Sequence, residues 1–164
     1  MIVVSDTSPV LNLARIGRLN LLPSLYKQVL IPSKVFEELS ASKHDLPPAI
    51  DLAVEPWLIV ASANNQQRVQ ELCAELDPGE AEAIVLAIER RADLLLVDER
   101  RARRTAADAG ITVTGLLGVV ARAKAAGLID SAKPVLDDLI QVARFWIGRA
   151  LQGSSDHTGR GLMK

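Results

Sequence analysis

The chain is poor in aromatic residues: Phe, Trp and Tyr supply 3% of its 164 residues, against 49% hydrophobic residues in all. Its core must therefore be aliphatic, and no row of aromatic rings is available as a stacking platform for nucleic-acid bases. Cysteine is nearly absent. Cys73 stands alone, which excludes an internal disulfide and a cysteine-rich zinc site and leaves it as a small apolar residue. The two histidines are His44, in a polar loop, and His157, near the end, so no Ser–His pair offers a nucleophile and base. The formal net charge is −1. Any affinity for a polyanion has to come from a local patch. No apolar run approaches the ~18 residues of a membrane-spanning helix, and no charged-then-apolar leader opens the chain. Gly115 and Gly118 have neither the lysine nor the spacing of a phosphate-binding loop. We therefore expect a soluble, cytoplasmic protein of a single domain, with no membrane partner.

What the chain does have is an alternation of short β-branched or leucine-rich runs with helical segments. Residues 2–4, 29–31, 94–97 and 111–113 predict strands, with 57–61 a further strand at a sheet edge. Helical spacing covers 9–16, 18–26, 34–40, 49–54 and 66–76. Asp77-Pro78-Gly79-Glu80 opens a helix to Arg91 with a capping box and an N-terminal proline. Helices over 100–109, 116–126 and 131–151 follow, the last with Asp130 as N-cap. This order implies an α/β fold: a three-layer α/β/α sandwich around a central, mainly parallel sheet of four to five strands. The expected boundaries are one domain over residues 1–151 and a Gly- and Ser-rich, disordered tail over 152–164.

Carboxylates recur at the ends of these strands. Asp6 and Asp98 each follow an apolar run, which places both at the carboxyl edge of the sheet, where open α/β sheets bind ligands. Asp6 could equally serve only to cap the helix that follows. Glu37 and Glu38 lie on the helix after the second strand, and helical geometry does not choose between them. Glu82, in the first turns of the helix before the Leu94 strand, can point at the same edge or stay solvated, as most helix glutamates do. Glu80 is explained as the capping-box acid. Carboxylates that converge repel and raise one another's pKa, so such a cluster calls for a cation. Oxygen ligands without Cys or His suit Mg²⁺ or Mn²⁺ rather than zinc, and ions so held serve phosphodiester hydrolysis. Arg100, Arg101, Arg103 and Arg104 follow Asp98, with Arg90 and Arg91 before the strand. They can hold flanking phosphates, bind an acidic partner, or line an ordinary solvated helix face.

Four segments, in order, resemble the motifs of the PIN-domain family. The first is Ile2-Val3-Val4-Ser5-Asp6-Thr7-Ser8, an acid after strand one followed by Thr-Ser. The second is Pro32-Ser33-Lys34-Val35-Phe36-Glu37-Glu38, a Pro-x-x-Val-x-x-Glu spacing that selects Glu38. The third is Gly79-Glu80-Ala81-Glu82-Ala83, which selects Glu82. The fourth is Leu94-Leu95-Leu96-Val97-Asp98-Glu99. The toxin branch of the family often carries Thr-x-Asp at the last position, whereas this chain has Asp98-Glu99-Arg100, with Arg100 where that acid would fall. The resemblance implies a PIN-like fold over residues 1–151 and a metal-dependent endoribonuclease similar to VapC-type toxins of toxin–antitoxin modules. It implies Asp6, Glu38, Glu82 and Asp98 as catalytic ligands of Mg²⁺ or Mn²⁺, with Glu99 as a further candidate. Ser8 would support the site by hydrogen bonding to Asp6 or to metal-bound water. RNA would be the substrate, held by the four arginines of residues 100–104, an antitoxin protein would be a partner, and the chain would form a homodimer or higher homo-oligomer. The alternatives are a non-catalytic binding protein of the same fold and a receiver-like, Mg²⁺-dependent phosphotransfer module. The second needs a lysine on a strand after Asp98, and none follows the Ile111 run.

Overall fold

A few branched aliphatic residues suffice for a strand when helices cover both faces of the sheet, and five short strands form in this way here. The structure, a computed structural model, describes residues 1–142. Strands β1 (Val3–Ser5), β2 (Val29–Pro32), β3 (Leu58–Ala61), β4 (Leu94–Leu96) and β5 (Val113–Thr114) form one all-parallel sheet in the order β3-β2-β1-β4-β5. β3 is an edge strand, as its sequence predicts, with Ile59 and Val60 exposed. The chain winds outward from β1 to β3 and then returns to the other side of β1 with β4. The order reverses between β1 and β4, and the crevice at the carboxyl ends of those two strands is where such sheets bind ligands. Receiver-type modules have the order 2-1-3-4-5, so this sheet is not theirs.

Side-chain alternation along the strands divides the core. Val3, Leu94 and Leu96 face one layer, which contains α1 (Thr7–Arg15), α2 (Leu21–Tyr26), α3 (Ser33–Ala41), α7 (Leu116–Ala125) and α8 (Ala132–Gln141). Val4, Leu95 and Val97 face the other, built by α4 (Gln66–Leu72), α5 (Pro78–Glu89) and α6 (Arg100–Asp108). The result is the expected α/β/α sandwich. Gly17 and Gly110 follow α1 and α6 at φ 71° and 84°, the left-handed conformation that ends a helix without a Cβ clash.

Some boundaries differ from the sequence expectation. Residues 18–20 form hydrogen-bonded turns before α2. The helix expected over 49–54 is only a 3₁₀ turn, Leu52–Val54, behind Pro47 and Pro48, which lack the N–H groups an α-helix would use. A second 3₁₀ turn, Lys43–Asp45, interrupts the loop before it, and α4 stops four residues early. Ser131, not Asp130, caps α8, its hydroxyl accepting from the Lys133 N–H at 3.3 Å. The rest of that expected helix, the tail over 152–164 and His157 lie outside the described residues. Among the described residues no helix is long and apolar enough to cross a membrane.

Candidate active site

Asp6 stands immediately after β1, and its N–H still bonds the Leu96 carbonyl at 2.9 Å, as if the strand continued. That bond pins its Cα between β1 and β4. Asp6 holds the N-cap position of α1 but makes no side-chain capping bond to the helix. It is buried, and its Oδ1 has no hydrogen-bond partner. Burial pushes its pKa well up; the Thr7 N–H offsets this in part, and Glu80, Asp77 and Glu38 push further in the same direction. A capping role alone leaves that bare oxygen unexplained, because buried polar atoms are nearly always paired.

Glu38 is half-buried on α3, whereas Glu37 is exposed. The Thr7 hydroxyl donates to Glu38 Oε2, so the two strand-following helices meet at this carboxylate. The second contact comes from Gly79, at the start of α5. A Cβ there would lie 2.7 Å from Glu38 Oε1 and 3.0 Å from Oε2. Glycine is what lets the backbone come this close. Burial raises the Glu38 pKa; Thr7 and the Gly79 N–H lower it, and Asp77 raises it.

The two glutamates of α5 have opposite fates. The helix is buried continuously from Gly79 to Ala87, so both carboxylates are drawn inside. Positions i and i+2 of a helix do not share a face. Glu80 completes the capping box, accepting the Asp77 N–H at 3.1 Å while Asp77 accepts the Glu80 N–H at 2.9 Å. It also faces the other acids. Its pKa is raised to about 7, first by burial, then by Asp77, with Glu99 and Glu38 contributing. Glu82 is fully buried and turned the other way. Its Oε1 accepts from the Ser33 hydroxyl at 3.0 Å and the Lys34 N–H at 2.9 Å. Its Oε2 accepts from the Ala63 N–H and the Gln66 amide, both at 3.1 Å. Burial works to raise its pKa, but these four donors outweigh burial and lower it. The structure thus brings Glu80, not Glu82, beside Asp6 and Glu38. The helix start is the clue in the sequence, since the N-terminal turn of α5 lies nearest the carboxyl edge of the sheet.

Asp98 is buried at the end of β4, on the far side of Asp6. Its Oδ1 accepts the Leu116 N–H of α7 at 2.6 Å, and its Oδ2 accepts the Ser8 hydroxyl at 3.2 Å. Ser8 therefore supports Asp98 rather than Asp6, and Asn12 in turn donates to Ser8 Oγ at 3.0 Å. Burial raises the Asp98 pKa, and the Leu116 and Ser8 bonds and the Arg103 charge lower it. Glu99 is half-exposed at the rim. The four arginines of α6 do not form one patch. Arg100, Arg101 and Arg104 are exposed, with Arg101 reaching the Glu75 carbonyl at 3.3 Å, while Arg103 is half-buried beside Asp98.

The crevice thus holds Asp6, Glu38 and Glu80 as mutually repelling neighbours, with Asp77 and Glu99 around them and Asp98 across from them. Among the described residues no three acids are closed around one point as a finished ligand cage. The donor chemistry nevertheless fits a hard divalent cation: oxygens only, pKa values raised first by burial and further by neighbouring acids, and a bare buried Oδ1 on Asp6. The residues that would hold it are Asp6, Glu38 and Glu80. No curated protein and no solved structure matches the chain. A family model described as DUF3368, PIN domain, matches residues 2–154. The chain belongs to the PIN-domain family, whose members are in general nucleases that use divalent metals.

Proposed function

We propose that this protein is a metal-dependent endoribonuclease, the toxin of a toxin–antitoxin module. The observation that carries the catalytic part is the unpartnered, buried Oδ1 of Asp6 among acids that raise one another's pKa. Asp6, Glu38 and Glu80 would hold Mg²⁺ or Mn²⁺. Such an ion, when bound, supplies Lewis acidity to a phosphate oxygen and makes water a competent nucleophile near neutral pH. The chain's own work is positioning. Thr7 and Gly79 fix the Glu38 carboxylate, the capping box fixes Glu80, and the β1–β4 pairing fixes Asp6. Ser8 and Leu116 hold Asp98 at the opposite wall.

In this reading Arg100 and Arg104, exposed one helical turn apart on α6, bind substrate phosphates flanking the scissile one, with Arg101 beside them. A basic helix next to an acidic crevice favours a polyanion drawn across both. The toxin–antitoxin and homodimer assignments rest on the resemblance to VapC-type proteins. Purified protein should cleave single-stranded RNA with Mg²⁺ or Mn²⁺, and lose the activity with EDTA and in Asp6→Asn. Cleavage that persists in either would reject the proposal.

A further inference from the structure

The acids of the crevice are not equivalent in charge environment. After burial, the largest influences on the pKa of Asp6, Glu38 and Glu80 are neighbouring acids and hydrogen-bond donors. Asp98 differs. Arg103, one turn into α6, sends its guanidinium back over the start of that helix toward Asp98. Gly115 makes the room: a Cβ there would stand 2.6 Å from Arg103 Nη1 and 2.8 Å from Asp98 Oδ1, so both groups crowd one point that any other residue would fill. Arg103 is drawn half out of solvent, and its Nε is buried with no hydrogen-bond partner. A guanidinium does not lose its proton in a protein, so its charge is a fixed feature of this wall. Both Asp98 oxygens, moreover, already accept hydrogen bonds, from Leu116 and Ser8.

We propose that Arg103 is the resident cation of the Asp98 wall, so that the protein takes up a single divalent ion, at Asp6, Glu38 and Glu80, and none at Asp98. This rests on the metal-site reading above. Two-ion sites place the second ion a few ångströms from the first, to steady the oxygens of the displacement. Here a fixed positive charge occupies that side, repels a second dication, and provides the positive charge itself. Arg103 is thereby separated from the exposed Arg100, Arg101 and Arg104, which follow the substrate backbone.

The test is a Mn²⁺ titration of the full chain, counting bound ions by the loss of the free-ion electron paramagnetic resonance signal. The wild type should bind one ion. Arg103→Gln, which removes the charge but keeps a polar side chain, should gain a second. Arg103→Lys, which keeps the charge, should bind one, and circular dichroism reports whether each variant is folded. Two ions in the wild type overturn the single-ion proposal while leaving the metal-site reading intact, and so does one ion in folded Arg103→Gln. A wild type that binds none removes the metal-site reading itself, and this proposal with it.

Discussion

Gly79 and Glu82 separate the stability of the protein from its proposed chemistry. Gly79→Ala sits in a helix, where alanine is favoured over glycine by up to ~1 kcal/mol. Its Cβ, however, would arrive 2.7 Å from Glu38 Oε1. The expected outcome is a protein of equal or higher urea midpoint whose Mn²⁺ affinity, measured by calorimetry, falls at least roughly tenfold, a loss equivalent to about 1.4 kcal/mol. Glu82→Ala should do the opposite. It strands the Lys34 and Ala63 N–H groups in the interior, and each buried unpaired donor costs about 1–3 kcal/mol. Urea unfolding should register the loss; a midpoint unchanged from wild type would show that Glu82 does not join the starts of α3 and α4. The sequence pointed to Glu82 because its spacing matched a motif. It could not reveal that α5 is covered on every side from Gly79 to Ala87. Such a helix has no amphipathic stripe to say which carboxylate faces the crevice and which faces the β2–α3 and β3–α4 junctions.

At the level of elements, the strand-to-helix junctions carry the site, and most of them are legible in the residues. The branched runs before Asp6 and Asp98, and the Asp77-Pro78-Gly79-Glu80 cap, specify strand ends and a helix start by local chemistry alone. The capping box forms as expected. Asp77→Ala should remove it and cost about 1 kcal/mol in urea or thermal unfolding. It should also loosen Glu80, which loses the reciprocal bond. A variant as stable as wild type would mean that packing alone starts α5. Less legible is the region from 41 to 57, where Pro47 and Pro48 leave only 3₁₀ turns; apolar spacing suggested a helix there because periodicity does not register missing donors. The partner of Ser8 was also out of reach. Ser8 lies two residues from Asp6 in sequence, but the first turn of α1 carries its hydroxyl across to Asp98, ninety positions away.

For the whole molecule, the acidic crevice and the buried Glu82 pull stability in opposite directions with pH. Asp6, Glu38 and Glu80 have folded pKa values above their unfolded ones of about 4. Their contribution is complete below that pH and is lost as pH rises through the folded values, to about 7 for Glu80. Glu82, lowered on folding, contributes above its unfolded pKa and loses that contribution as pH falls through the folded one. Ion-free protein should therefore melt lower at pH 8 than at pH 5.5. Mg²⁺ should raise the Tm more at pH 8, because a bound ion displaces the protons that the crevice holds at lower pH. A Tm gain independent of pH would count against the crevice as the binding place. The most direct test is a crystal of the full chain grown with Mn²⁺ and measured for anomalous scattering. The predicted result is a peak bounded by the carboxylates of Asp6, Glu38 and Glu80. A peak bonded to Glu82, or none in the crevice at a Mn²⁺ concentration that supports RNA cleavage, would contradict it.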